Sequence, residues 1–304
     1  MAAAVDIAQA YRNKPQLLKY SFESETSQYH VALSAMRGWR QSMEDSHLID
    51  VDFDGEDPTG RDVGIFGVFD GHGGQDVALF ASRGMGQWVR QSKDFVKGDI
   101  KSALEAAYMR CDEELRVQTD VKCEYMGSTA CVVAVTPTDI VCANVGDSRA
   151  ILVTGSDVIA LSTDHKALLP AERARVEASG LHVTGNGRVN GQLAMSRALG
   201  DFVFKPAALE HEAQGVTCFP SVTVRRRDRD NDDFLVVACD GIWDCLRNEE
   251  VAAFVREEMS QHSDGSLVCE NLCRACVASR VSAPVGTDNM TMLLIRFKRE
   301  STET

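Results

Sequence analysis

Eight short runs dominated by Val, Ile, Leu and Phe constrain the fold of this chain more than any other feature: residues 31–35, 47–51, 63–69, 128–135, 140–145, 150–153, 234–239 and 290–297. Each has the length of a strand, and β-branched and aromatic side chains suit a pleated, buried surface. The turn residues Thr136-Pro137-Thr138-Asp139 separate two of these runs, which predicts a hairpin and hence antiparallel pairing. Amphipathic spacing predicts helices over 75–91, 100–118, 170–179, 249–259 and 267–280, with Gly180 stopping the third. The strands do not alternate steadily with these helices, which argues against a doubly wound parallel sheet. The expected class is α+β: an αββα sandwich of two packed, mainly antiparallel β-sheets flanked by helices. Residues 165–215 are richer in Gly, Asn and Pro and read as an irregular flap over one edge.

A chain of 304 residues with 44% hydrophobic content can bury a full-sized core, and one large domain is expected. The 45 acidic residues outnumber the 32 basic ones, and the formal net charge of -13 repels nucleic-acid backbones and anionic membrane surfaces. No uninterrupted apolar stretch is long enough to cross a bilayer, and the first residues lack both the plan of a signal peptide and a Gly at position 2. The expectation is a monomeric cytoplasmic or nuclear protein with no nucleic-acid or membrane partner. The basic run Arg225-Arg226-Arg227 is expected to be a solvated loop rather than a docking site for acidic substrates.

The 10 cysteines raise the questions of disulfides, metal ligands and a catalytic thiol. Cys131, Cys142 and Cys239 lie inside apolar runs, where a reduced thiol packs as a small hydrophobe. Cys269, Cys273 and Cys276 share the C-x3-C-x2-C spacing of iron–sulfur radical enzymes, but they are also related as i, i+4 and i+7 beside Leu272 and Val277. That spacing predicts one buried helical face instead. A Cys-x5-Arg segment, which would pair a nucleophilic thiol with an anion-binding arginine, does not occur.

Acidic residues recur where apolar runs leave the core. Asp70 follows one run, Asp240 follows another, Asp288 precedes a third, Asp147 sits at the bend in Gly146-Asp147-Ser148-Arg149, and Glu44 and Asp45 stand just ahead of residues 47–51. Taken singly, each has the ordinary explanation of a solvated strand end. Convergence on one rim would crowd several carboxylates, whose repulsion is relieved by protonation or by bound cations. All-oxygen ligands without a nearby His/Cys set favour Mg²⁺ or Mn²⁺ over Zn²⁺. Gly71, after Asp70, allows its carbonyl to approach a metal closely.

Gly38-Trp39-Arg40 with Met43-Glu44-Asp45, Phe69-Asp70-Gly71-His72-Gly73-Gly74 and Gly127-Ser128-Thr129-Ala130 resemble the metal-dependent protein Ser/Thr phosphatases of type 2C. Gly146-Asp147-Ser148-Arg149, Asp164-His165-Lys166, Ser196 to Asp201, Ala238 to Asp244 and Asp288-Asn289-Met290 extend the resemblance, in the same order, over nearly the whole chain. It implies that residues 21–304 form the phosphatase catalytic domain, with residues 1–20 an N-terminal segment of unknown role. It also implies two Mg²⁺ or Mn²⁺ ions, bridged by Asp70, with Asp240 and Asp288 completing one site and Glu44 with the Gly71 carbonyl the other. Asp45 would stand behind these ligands and orient them. Asp147, Asp240 and Asp244 are implied as a third, weaker metal site, for which the i, i+4 spacing of the last two is suitable.

By the same resemblance Arg40 clamps the phosphate, and His72 is the general acid that protonates the departing alkoxide. The implied reaction hydrolyses phosphoserine or phosphothreonine in phosphoprotein substrates by direct attack of a metal-bridging water. Family members often carry Pro after Asp-His-Lys, where this chain has Ala167, a departure that bears on flap shape. Two rival readings are an inactive phosphatase-shaped scaffold, against which the retained Asp70, Asp240 and Asp288 argue, and a metal-dependent phosphatase of small metabolites.

Overall fold

The computed structural model describes residues 14–51, 62–118 and 120–299. Residues 1–13 of the expected N-terminal segment and 300–304 of the expected domain lie outside them. A six-stranded sheet runs in the order β1 (Gln16–Glu25), β2 (Tyr29–Gly38), β14 (Met290–Phe297), β13 (Asp232–Ala238), β9 (Arg149–Thr154) and β10 (Asp157–Ala160). A five-stranded sheet runs β12 (Ser221–Arg226), β8 (Asp139–Val145), β7 (Ala130–Val135), β4 (Gly64–Phe69) and β3 (Ser46–Asp50). The pairings within both sheets are antiparallel. A small sheet of β11 (Leu199–Gly200), β6 (Gly127–Ser128) and β5 (Gly71–His72) joins the flap to the site.

The sequence of β7 shows how the layers arise. Its alternate residues Cys131, Val133 and Val135 pack with Leu33, Leu235 and Leu293 of the six-stranded sheet. Ala130, Val132 and Ala134 face the other way, toward α1 (Asp76–Gln91) and α3 (Ile100–Val117), among Met85, Leu104 and Tyr108. A strand covered on both faces reads as a continuous apolar run because each side of its two-residue period is buried. Each buried Val or Leu contributes roughly 1.5–3 kcal/mol. The short α2 (Lys93–Lys97) links the first helix pair, capped by Ser92 at its start and left by Gly98 at φ 88°. The outer face of the six-stranded sheet is covered by α5 (Asp240–Trp243), α6 (Asn248–Gln261) and α7 (Gly265–Cys276), giving the expected αββα sandwich.

The predicted hairpin is present: Thr136 Oγ1 accepts from the Asp139 N–H at 2.8 Å, and β7 and β8 pair from Ala130↔Val145 to Val135↔Ile140. Cys269, Cys273 and Cys276 form one buried face of α7, and all ten cysteines are free thiols. The flap contains α4 (Pro170–Ala178) and a small core of its own, in which Val176, Val189, Ala198, Phe204 and Val216 pack together.

The structure departs from expectation at one edge of each sheet. Residues 16–20 are not a separate segment but the first half of β1, so the expected division at residue 20 falls inside a strand. Ser21 and Glu23 bind α7, through Ser21 Oγ to Glu270 Oε1 at 2.7 Å and Gly265 N–H to Glu23 Oε1 at 3.0 Å. Arg225 and Arg226 belong to β12 rather than to a solvated loop. Arg225 lies 3.7 Å from Asp232, and the Arg227 guanidinium covers the Phe297 ring at 4.2 Å. Both strands are edges with one open side, so few apolar residues were needed to specify them. Residues 128–135 are also divided, because Thr129 turns out of the ladder to donate its N–H to the Asp70 carbonyl at 2.9 Å.

Candidate functional site

Strand register brings the acidic residues together. Phe69 pairs with Ser46, so Asp70 and Asp45 leave the five-stranded sheet side by side. Ala238 pairs with both Met292 and Arg149, so Asp240, Asp288 and the bend carrying Asp147 leave the other sheet at one end. Two bonds bridge the sheets: Thr291 Oγ1 donates to Asp45 Oδ2 at 2.6 Å, and the Glu44 N–H to Asn289 Oδ1 at 2.9 Å. Asp70 is held by its backbone, with its N–H donating to Thr129 Oγ1 at 3.0 Å and its carbonyl accepting from Ser128 Oγ at 3.2 Å.

The clustering changes the chemistry of the carboxyls. Burial raises Asp70 well above the usual carboxylate range, and the charges of Asp45, Asp240, Asp147 and Asp288 push it further. Burial likewise raises Asp240, reinforced by Asp147, Asp288 and Asp244 and relieved in part by Lys166. Asp45 is pushed up to about 6, chiefly by burial, against the stabilising hydrogen bond from Thr291. Asp244 is raised mainly by burial too. Asp244 donates its N–H to the Asp240 carbonyl at 2.8 Å, placing the two one helical turn apart as their spacing predicts. Asp45, Asp70 and Cys239 offer donor atoms within 4.8 Å of one another.

The loop positions are tightly determined. A Cβ on Gly71 would fall 2.4 Å from the Glu44 carbonyl oxygen, so only glycine fits there. Glu44 receives Ser42 Oγ at 2.6 Å on Oε1 and the Gly74 N–H at 3.2 Å on Oε2, which aims its carboxylate at the turn after Asp70. Arg40 is largely exposed and ion-paired with Asp288. Asp147 is 2% exposed and ion-paired with Lys166 through Oδ2.

His72 Nε2 lies 2.6 Å from Asp201 Oδ2. Burial alone would lower the imidazole pKa, but the Asp201 hydrogen bond and charge, with Asp147 and Glu44, outweigh it and raise the pKa above its ordinary value. A Cβ on Gly127 would lie 2.2 Å from Asp201 Oδ2 and 2.6 Å from His72 Nε2, so this pair closes over a glycine.

Three contributors carried no assigned role in the sequence reading. Asp201 holds His72. Asn289 donates to the carbonyls of Arg37 at 2.8 Å and Ser42 at 3.0 Å while accepting from Glu44, which ties the Arg40 loop to β14. Lys166 is the cation beside Asp147. All three stand inside motifs quoted above, and that was their only sequence signal.

The sandwich thus carries at one end a carboxylate-lined rim, an exposed arginine and a histidine supported by a carboxylate. The family description "Protein phosphatase 2C" matches residues 29–284. Protein phosphatase 2C homolog 2 of Hypocrea jecorina is 40% identical over 297 residues, covering 96% of this chain and 67% of that protein. The homolog 2 proteins of Aspergillus fumigatus and Schizosaccharomyces pombe are 43% and 38% identical, covering 86% and 94% of this chain and 63% and 77% of theirs. The crystal structure of a serine-threonine phosphatase 2C from Toxoplasma gondii superposes with a TM-score of 0.78 at 19% identity, over 92% of this chain and all of that one, and so shares the fold. The chain belongs to the protein phosphatase 2C family, and with it to the protein-serine/threonine phosphatase class of enzymes.

Proposed function

We propose that this protein hydrolyses phosphoserine and phosphothreonine in phosphoproteins with the aid of divalent cations at the carboxylate rim. The observation that carries this reading is the convergence of Asp70 and Asp240 with further carboxyls on one rim, where both are raised by burial and neighbouring charge and, among the described residues, neither has an ion-pair partner. Asp45 Oδ1 and Asp147 Oδ1 are buried without a hydrogen-bond donor, and the donors are oxygens, which suits a hard cation. The adjacent Cys239 thiol is pushed well above its usual pKa, first by burial and then by the charges of Asp45, Asp70 and Asp240. Asp70, Asp240 and Asp288 would hold one Mg²⁺ or Mn²⁺, and Asp70, Glu44 and the Gly71 carbonyl a second. When bound, such ions acidify water and offset phosphoryl charge. A third ion at Asp147, Asp240 and Asp244 would have to compete with Lys166 for Asp147.

The chain's own groups perform the rest. Arg40 exchanges Asp288 for two phosphate oxygens, a task its planar fork and exposure permit. Asp201 favours the doubly protonated imidazole by pairing with Nε2, so that Nδ1, which has no partner, carries the second proton and gives it to the departing serine or threonine oxygen, leaving neutral His72 with its Nε2 proton. Asn289 and Asp45 keep the two strand ends in register while this occurs. Phosphopeptide turnover should stop on chelation and resume with Mn²⁺ or Mg²⁺. Undiminished turnover after verified metal removal would overturn the reading.

A further inference from the structure

A second group of potential ligands lies away from the rim, where the end of the flap meets α3. Asp112 is fully buried on α3, and its Oδ1 is saturated by Lys205 Nζ at 2.6 Å and the Gly200 N–H at 2.9 Å. Its Oδ2 is buried without a nitrogen or oxygen donor, and the Cys218 thiol is the group that faces this carboxylate. Beside it, His211 Nδ1 lies 3.3 Å from Cys218 Sγ, and one donor atom from each of Asp112, His211 and Cys218 falls within 4.8 Å of the other two. We propose that Asp112, His211 and Cys218 form a binding site for one borderline-soft divalent cation of the Zn²⁺ class, distinct from the carboxylate rim.

The donor chemistry selects the ion. Oxygen, imidazole and sulfur together are a zinc set, whereas Mg²⁺ and Ca²⁺ take oxygens alone. Zinc–sulfur and zinc–nitrogen bond lengths place those two atoms about 3.5 Å apart in a tetrahedral site, close to the separation observed here. The Glu113 carboxylate, 3.7 Å from His211 Nε2, favours the proton on that nitrogen electrostatically and leaves the Nδ1 lone pair facing Cys218. On binding, the Cys218 S–H bond is replaced by an S–metal bond and the proton leaves to solvent. The ammonium of Lys205 opposes a cation here, but it is engaged by Asp112 Oδ1 and the Ala198 carbonyl. The new thiolate and Glu113 supply compensating negative charge.

Occupancy would staple the flap's exit to α3. Through Gly200 it would also steady Asp201, the partner of His72.

The test uses the full chain in excess Mg²⁺, with Co²⁺ as a spectroscopic probe and Zn²⁺ in direct titration. Wild-type protein should show a thiolate-to-cobalt charge-transfer band, retain one equivalent of Zn²⁺, and melt at higher temperature with Zn²⁺. Cys218→Ala should abolish the band. His211→Ala, at a half-buried position outside the core, should weaken Zn²⁺ binding by at least ~10-fold. Cys239→Ala controls for the thiol beside the rim and should keep the band. No band in wild type, a band that survives Cys218→Ala, or a band lost only in Cys239→Ala would each overturn the proposal.

Discussion

Glu172 in the flap and Asp70 at the rim are both carboxyls drawn out of bulk water, and the protein shifts their protonation in opposite directions. Burial would raise Glu172, but Arg197 at 2.6 Å, Arg175 at 2.7 Å and Ser196 Oγ at 2.5 Å override it and hold the carboxyl far below its usual range. Asp70 meets burial and four further carboxylates instead. Where the chain supplies its own cations, a buried carboxylate closes the structure. Where it does not, the carboxyl is pushed toward its neutral form, and under the proposed function it is this group that takes a cation from outside.

Removing the charge should therefore have opposite consequences in the two places. Asp70→Asn or Asp240→Asn should lower phosphopeptide turnover by more than ~10³-fold, beyond the usual effect of losing one electrostatic stabiliser. The same variants should melt no lower than wild type in chelator, because a repulsion is relieved. A clear loss of metal-free stability would break the comparison. Glu172→Gln strands two arginines and should cost about 3–5 kcal/mol, measured by denaturation, with hydrogen exchange locating the loss in residues 165–216. A stabilised Glu172 variant would count equally against it.

His72 stands between the two cases, a cation partner for Asp201 placed beside the rim. His72→Ala should slow phosphoserine peptides by about 10²-fold or more while affecting aryl phosphates, whose leaving groups need no proton, far less. Metal content should be unchanged, and equal losses on both substrates would remove the general-acid assignment.

The contrast should also appear as pH dependence. His165 joins the flap to the sandwich, accepting the Gly146 N–H on Nδ1 at 3.2 Å and meeting Ser221 Oγ through Nε2 at 3.0 Å. Burial first, then the charges of Arg197 and Arg175, lower its pKa from 6.5 to about 3. Between those values the unfolded chain binds a proton that the folded one refuses, so stability present above pH 6.5 is lost as pH falls. The loss from pH 7 to 5 should be about 2 kcal/mol and should vanish in His165→Asn. Asp45 has the opposite sign: raised from 3.8 to about 6, it adds stability below that window that is lost as pH rises through it. Denaturant midpoints of metal-free wild type and His165→Asn would separate the two contributions.

The smallest expected effect concerns Arg40. Arg40→Lys keeps the charge but loses the fork, and kcat/KM should fall roughly tenfold, or ~1.4 kcal/mol, with unchanged metal content. An unchanged kcat/KM would show that only charge matters at that position.

Much of this architecture was legible in one dimension. The runs that became β4, β7, β8 and β13 are buried on both faces, so their composition announced them, and the Thr136–Asp139 turn carried its own hydrogen-bonding chemistry. The acidic residues at the ends of those runs could be named for the same reason, because a strand end is a local property. The edge strands β1 and β12 were not legible, since an open side and a charged composition leave little apolar pattern. Nor could the chain order reveal that Asp201 would meet His72, that Asn289 would tie down the Arg40 loop, or that Glu172 would find two arginines while Asp70 found none. Periodicity records which residues leave water, and that is settled within a few residues of chain. The protonation and partnership of a charge depend on distances between segments far apart in sequence, and packing the two sheets and the flap sets those distances.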